Sequence, residues 1–276
     1  MTLLLLFLVY AIALSMALAG AGHWGRTASS AMETKPRPKR ILIVGATGGT
    51  GRQLVAQALE RDYTVTALAR NPSRLQLTHP RLKVVRGDVQ DGASVDAAVQ
   101  GQGAVLSALG HKRYLGPTRI LSRGTGHLLR AMEAQGVSRF VCETSLGLGD
   151  SAFRLGLLYT LFIIPVILPF YFWDKTRQER MIAASRVSWV IVRPGVLTNG
   201  AKRGVVRQGA RVGNALWGVR VSRADVAAFM LDQLESDTYV GSSPGVAWST
   251  PSGWASASSR STSSNGRIAI ERTGGR

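Results

Sequence analysis

With 276 residues, 45% of them hydrophobic and 18% charged, the chain has apolar material for one large α/β domain and lacks the composition of a disordered protein. The formal charge of +18 raises the question of nucleic acid; yet residues 1–40 hold five basic residues against one acid, residues 241–276 four against one, and the remaining 25 − 14 = +11 is spread thinly over 41–240. No basic block interleaved with aromatics occurs, which argues against a nucleic-acid footprint and for solubility and anionic ligands, while a single cysteine, Cys142, excludes an internal disulfide and a cysteine-based metal site.

Residues 3–20 form an uncharged apolar run that as a helix would reach roughly 27 Å, close to a bilayer core. Only Met1 and Thr2 precede it, whereas Arg26, Lys35, Arg37, Lys39 and Arg40 follow, so an anchor in residues 1–22 would leave the rest of the chain in the cytoplasm and associated with a membrane. A cleaved signal peptide competes, because Ala17-Leu18-Ala19 has small residues where a peptidase needs them, but a basic leading region is missing; a start codon placed too early is the third alternative. Residues 23–40, with Ser29, Ser30, Pro36 and Pro38, read as a linker, and residues 249–276, dominated by Ser, Gly and Arg, as a low-complexity tail.

Between these ends, over residues 41–248, six short β-branched runs stand at 41–44, 64–68, 82–85, 104–108, 140–143 and 187–192. Helical patterns at 52–60, 93–99 and 120–135 separate the first of them, the last stopped by Gly136. Strands that are mostly apolar belong in a sheet covered on both faces, and the alternation βαβαβαβαβ with short connections implies a single α/β domain with a doubly wound parallel sheet. Cys142 falls in the fifth run, as a small buried hydrophobe.

Gly45-Ala46-Thr47-Gly48-Gly49-Thr50-Gly51 lies between the first strand and the first helix, expected to open at Arg52. Glycines at 45, 48 and 51 permit a tight turn, let the backbone approach a pyrophosphate and let helix pack on strand, so this is the phosphate-binding turn of a Rossmann fold. About 20 residues on, where an acid would bind a ribose 2′-hydroxyl, stands Arg70, with Arg74 beyond it and no Asp or Glu between Tyr63 and Val85; two guanidinium groups suit a 2′-phosphate, which favours NADP(H), unless both are solvated loop residues. Asp88 and Val89, after the third strand, can receive an adenine, although Asp88 can instead cap the next helix; Leu109 and Gly110 follow the fourth strand, at the same edge of the sheet.

Residues 155–173 form a second uncharged run, interrupted by Pro165 and Pro169. It reads as a buried lid over a lipophilic substrate or a membrane-facing patch rather than as a second span, since two prolines spoil a regular helix and a span would thread the sheet connection through a bilayer. Ser145 follows the fifth strand, and Tyr171 and Lys175 stand four apart on one helical face, the geometry for proton relay through a phenol. Tyr171 can equally be packing, and Lys175 can contact a cofactor ribose or pair with Glu179 at the surface.

The segments Ile41–Gly51, Arg70-Asn71-Pro72-Ser73-Arg74-Leu75, Gly87-Asp88-Val89, Val192-Arg193-Pro194-Gly195 and Val221–Ala227 together resemble the atypical short-chain dehydrogenase/reductases, and within them the NAD(P)H-binding group that contains biliverdin reductase B (flavin reductase) and the NmrA-like proteins. The resemblance covers roughly residues 40–248. It implies that Gly45, Thr47, Gly48, Thr50 and Gly51 hold the pyrophosphate, Arg70 and Arg74 the 2′-phosphate, and Asp88 and Val89 the adenine, with Leu109, Gly110, Ser145 and Pro194 at the nicotinamide end. The function it implies is NADPH-dependent hydride transfer to a small planar or lipophilic acceptor such as a flavin, quinone or tetrapyrrole; the alternative is a non-enzymatic NADP sensor of the NmrA kind. An epimerase of the extended branch also uses Tyr-x-x-x-Lys, but too few residues follow Pro194 for its larger substrate domain.

Overall fold

Mostly aliphatic runs, buried on both faces in all but the edge strand β3, pair here as the parallel strands β1 (Arg40–Val44), β2 (Thr64–Ala69), β3 (Leu82–Arg86), β4 (Ala104–Ser107), β5 (Arg139–Glu143) and β6 (Ser188–Pro194). The computed structural model describes residues 9–12, 14–15, 38–111, 113–114 and 116–248. The N-terminal segment expected at 1–22, the linker at 23–40 and the tail at 249–276 fall, apart from 9–12, 14–15 and 38–40, outside the described residues. Among the described residues no helix is long and apolar enough to cross a membrane.

Four further strands follow: β7 (Val196–Thr198), β8 (Val206–Gly209), β9 (Arg220–Ser222) and β10 (Gly245–Trp248). The main sheet has the order β3-β2-β1-β4-β5-β6-β10-β8, all parallel except the edge strand β8, while β7 and β9 form a separate parallel pair. The expected doubly wound sheet is therefore present, extended by two strands at one edge. Chain order reverses between β1 and β4, so their carboxyl ends splay apart and leave a crevice, the switch point where such sheets bind ligands.

Alternation along each strand assigns the two faces. Ile41, Ile43, Val65, Leu106, Val141 and Val190 face the helices α1 (Gly49–Glu60) and α5 (Arg223–Asp232). Leu42, Val44, Val105, Phe140, Cys142 and Ile191 face α2 (Gly92–Val99), α3 (Ile120–Ala134) and α4 (Pro169–Ala184). Helix α1 opens at Gly49 rather than at Arg52, because the glycines themselves take up the first turn, with Gly48 as the cap. A third small core, with Leu146, Leu155, Ile164, Phe172 and Val212, lies beyond the end of the sheet.

The run at 155–173 corrects the expectation of a buried lid. It contains a π-helix, Tyr159–Ile167, in which the wider turn accommodates Pro165, and Pro169 then opens α4 where a missing N–H is harmless. One side of the π-helix, with Ile164 and Pro165, is buried; Phe162, Val166 and Ile167 on the other are exposed, as is Leu158 just before it, and Tyr171 alone of the whole run borders the crevice.

A buried ionic cluster ties the end of β5 to this region. The Arg193 guanidinium of β6 meets the Glu179 carboxylate of α4 through Nε at 3.1 Å and Nη2 at 2.7 Å, and reaches Asp150 through Nη1. The Thr144 hydroxyl donates to the same Glu179 carboxylate at 2.6 Å. Arg193 and Glu179 are each 1% exposed, so neither charge has water to fall back on. Arg193→Met, which keeps the bulk but leaves Glu179 as an unpaired buried carboxylate, is expected to cost about 3–5 kcal/mol in urea unfolding; a loss of less than about 1 kcal/mol, the size expected of a solvent-screened pair, would show that the cluster is not the clamp described.

Candidate functional site

The crevice is about 760 Å³, within the range of small-molecule sites. Its floor is the turn from β1 into α1. Gly45 has φ +78°, a conformation that resists a side chain, and a Cβ there would run into the Ala108 carbonyl; a Cβ on Gly51 would collide with the Gly45 carbonyl. The Gly48 N–H donates to the Gly45 carbonyl at 2.9 Å and closes the turn. The first N–H groups of α1 have no partner within a helix and carry its positive end, so the turn is receptive to a pyrophosphate. Gly45, Thr47, Gly48 and Thr50 border the crevice; Gly51 does not, and serves the close packing of helix on strand. The Thr50 hydroxyl is turned inward, donating to Glu143 Oε1 at 3.0 Å.

Arg70, just past β2, and Arg74, ending the short turn Pro72–Arg74, border one end of the crevice, and Arg52 Nη2 donates to the Arg74 carbonyl at 2.8 Å, bracing that turn. Asp88 and Val89 border the same end. Asp88 accepts from the Gln90 N–H at 3.0 Å but does not cap α2; Asp91 does, accepting from Ala93 and Ser94, because it is the residue directly before the helix.

At the opposite end Leu109 and Gly110 meet α4, which presents Tyr171 and Lys175 together. The Lys175 ammonium lies 5.2 Å from the Tyr171 ring centroid, and His111 stands edge-on to the ring at 4.9 Å. Asp174, fully buried, holds α4 in place: its carboxylate accepts from Leu121 N–H at 2.9 Å and Ser122 N–H at 3.1 Å, capping α3 across the gap. The surface pair between Lys175 and Glu179 is not formed, because both are buried and Glu179 is engaged by Arg193 and Thr144. Ser145 and Pro194 do not border the crevice. The Ser145 hydroxyl donates to the Leu146 carbonyl at 2.9 Å, and Pro194 is buried at the end of β6. No group of residues able to hold a metal occurs among the described residues.

Glu143, Arg223 and His111 also border the crevice, although the sequence assigns none of them a role there. Glu143 is visible only as the one acid in an apolar strand; Arg223 lies in the Val221–Ala227 segment, and a Cβ on Gly49 would meet its side chain. Burial pushes the Glu143 carboxyl above its ordinary value, an effect that the Lys175 ammonium, the Thr50 hydroxyl and Arg223 only partly offset. Burial alone would lower Lys175, but Tyr171, Cys142, Glu143 and Glu179 outweigh it, so the ammonium is held above its ordinary value and stays charged at neutral pH. Burial lowers His111, keeping it neutral there; its Nδ1 accepts from the Arg113 N–H at 3.2 Å, and Nε2 lies 3.0 Å from the Thr118 hydroxyl. Burial likewise pushes the Cys142 thiol up to about 12, which makes it inert.

Residues 45–237 match the family model described as NAD(P)H-binding, in agreement with the resemblance drawn from the sequence. An uncharacterised chloroplastic protein of Arabidopsis thaliana is 30% identical over 182 residues, 63% of this chain; the chain spans 65% of that protein's length, short of two thirds. Among solved structures, a wide-type short-chain dehydrogenase/reductase of Veillonella parvula in complex with NADP superposes with a TM-score of 0.61 at 20% identity, over 76% of this chain and 94% of that one. ChuY, an anaerobillin reductase of Escherichia coli O157:H7, gives 0.61 at 24% identity, over 75% and 96%. At these identities the two structures are evidence of a shared fold.

The raised Glu143 value has a consequence for stability. Above the ordinary carboxyl range the unfolded chain has released this proton while the native state still holds it, so stability falls as pH rises from the ordinary value of 4.5 through the raised one. Glu143→Gln should flatten the thermal midpoint across that window and raise it relative to the parent at the upper end. Parallel midpoint profiles for the two proteins would contradict a protonated native carboxyl.

Proposed function

The chain belongs to the NAD(P)H-binding family, and from that membership we propose that it is an NADPH-dependent oxidoreductase that passes hydride to a planar or lipophilic acceptor of the flavin, quinone or tetrapyrrole kind. The observation that carries this reading is one continuous crevice joining the amino end of α1 to the pair Arg70 and Arg74 at one end and to Tyr171, Lys175 and His111 at the other. The fit to a phosphorylated dinucleotide rests on the cradle that a Cβ at Gly45 or Gly51 would fill, and on two guanidinium groups with no carboxylate between Tyr63 and Val85.

In this reading the turn at Gly48 and Thr47 holds the pyrophosphate, Arg70 and Arg74 the 2′-phosphate, and Asp88 with Val89 the adenine. Arg223, lying against Gly49, adds a cation on the far side of the pyrophosphate. When bound, the dinucleotide supplies the hydride; the protein supplies position and charge. Tyr171 and His111 give a flat acceptor aromatic surfaces to pack against, and the Tyr171 hydroxyl, beside Gly110, gives up the proton that accompanies reduction. Lys175 stays protonated beneath it and stabilises the phenolate, which regains its proton from solvent at the mouth of the crevice. A sensor without turnover is the rival reading, favoured by Ser145, whose hydroxyl is occupied outside the crevice.

Calorimetry on Arg70→Ala and Arg74→Ala should show NADPH binding weakened about 10- to 100-fold, the worth of a charge-assisted hydrogen bond, with NADH affinity unchanged; equal losses for both nucleotides would refute recognition of a 2′-phosphate. In anaerobic turnover with flavins, quinones and azo dyes, Tyr171→Phe should lose about 10²- to 10⁴-fold in kcat with little change in KM, the usual share of a proton donor. Stoichiometric NADPH binding with no oxidation by any acceptor would favour the sensor.

A further inference from the structure

The exposed side of the π-helix is unlike the rest of the surface. Phe162 is 59% exposed and Val166 63%, with Ile167 beside them, on a short element whose other side is packed, and Leu157 and Leu158, the latter 61% exposed, lead directly into it. A neighbouring loop enlarges the patch. Asn214 pairs with Leu155, its N–H donating to the Arg154 carbonyl at 2.8 Å, and its side-chain oxygen accepts from the N–H groups of Leu216 and Trp217; Trp217, 75% exposed, comes up against Gly156. A contiguous apolar surface of this kind marks an interaction site in a folded protein.

Two observations identify what it meets. First, the Tyr10 hydroxyl donates to the Leu161 carbonyl at 2.8 Å, so the short helical segment around it touches this same element, and its Val9 and Ile12 are exposed as well. Second, the segment that carries Trp217 is basic: Arg207, Arg211 and Arg220 are exposed on it, and it holds no Asp or Glu. A two-fold contact with another copy would gather these arginines from both copies at one interface, an arrangement with net repulsion. An anionic lipid surface instead offers a hydrocarbon phase for the aliphatic side chains, an interfacial layer for Trp217 and headgroups for the arginines.

We infer that the π-helix face and the Trp217 loop form a bilayer-docking surface, inserted into an anionic leaflet. Tyr171 follows the π-helix within α4, so docking sets the end of the crevice that holds Tyr171 beside the membrane. That the site then draws its acceptor from the lipid rests on the reductase reading; the docking itself does not, and lipid binding measured without any nucleotide separates the two.

The test is flotation of the full chain with vesicles of equal parts phosphatidylcholine and phosphatidylglycerol, and with phosphatidylcholine alone. The parent should float with the anionic vesicles, less so at high salt. Phe162→Glu and Val166→Glu, at exposed positions where folding is checked by circular dichroism, should each weaken binding about tenfold or more, the loss of one buried apolar side chain. Vesicles with brominated acyl chains should quench a component of tryptophan emission that Trp217→Phe removes. The inference is overturned if both variants float like the parent and Trp217→Phe leaves the quenching unchanged, since the N-terminal run then acts alone. A parent that does not float overturns it as well, and a dimer in sedimentation equilibrium that the two variants abolish would then assign the face to a second copy.

Discussion

Helix α1 can rest on β1 only because positions 45 and 51 lack side chains: the Cα of Gly51 occupies space beside the Gly45 carbonyl where no Cβ fits, and Gly45 itself abuts the Ala108 carbonyl of the next strand over. That close approach brings the amino end of α1 to the point where the sheet reverses order between β1 and β4. Every other feature of the crevice is arranged around it. Strand β2 leads into Arg70 and β3 into Asp88, both at the carboxyl edge of the sheet, so these groups gather on one side of the turn; β5 and α4 bring Glu143, Tyr171 and Lys175 to the other.

The second side is held by polar burial as well as by apolar packing. Asp174 caps α3 from α4, Glu179 joins Arg193 to Thr144, and Glu143 receives the Thr50 hydroxyl, so that α1, α3, α4, β5 and β6 are linked through side chains that all lie out of water. Such groups are costly unless satisfied, and a set that is satisfied admits few alternative arrangements. Tyr171, Cys142, Glu143 and Glu179 together hold Lys175 above its ordinary value in spite of its burial, and the Tyr171 ring lies against this ammonium at that end of the crevice.

Legibility in the sequence followed the period of the apolar pattern. Strands buried on both faces, such as Ile41–Val44 within β1, are continuous aliphatic runs, and glycines spaced as at 45, 48 and 51 between a strand and a helix suit close backbone approach to a phosphate, so the sheet through β6 and the floor of the crevice could be read directly. The later elements carry no such signal. β7 and β9 are three residues long, β8 is an edge strand with Arg207 and Gln208 exposed, and α5 is buried from Ala224 to Leu231 on all sides, which leaves no polar stripe to set its phase. The run at 155–173 misled because composition reports only that residues are apolar, and not whether another part of the chain covers them. Glu143 and Arg193 were present as charges in apolar strands, but their partners stand on other elements, Thr50 being 93 residues from Glu143, and only the fold brings them into contact.

Amide hydrogen exchange, with and without saturating NADPH, tests the claim that the amino end of α1 is the pyrophosphate receptor. Protection should concentrate in residues 45–52, the turn and the first N–H groups of the helix, with a second focus at 70–75. Bound nucleotide that left 45–52 exchanging as in the free protein would contradict the claim, whatever else in the chain became protected.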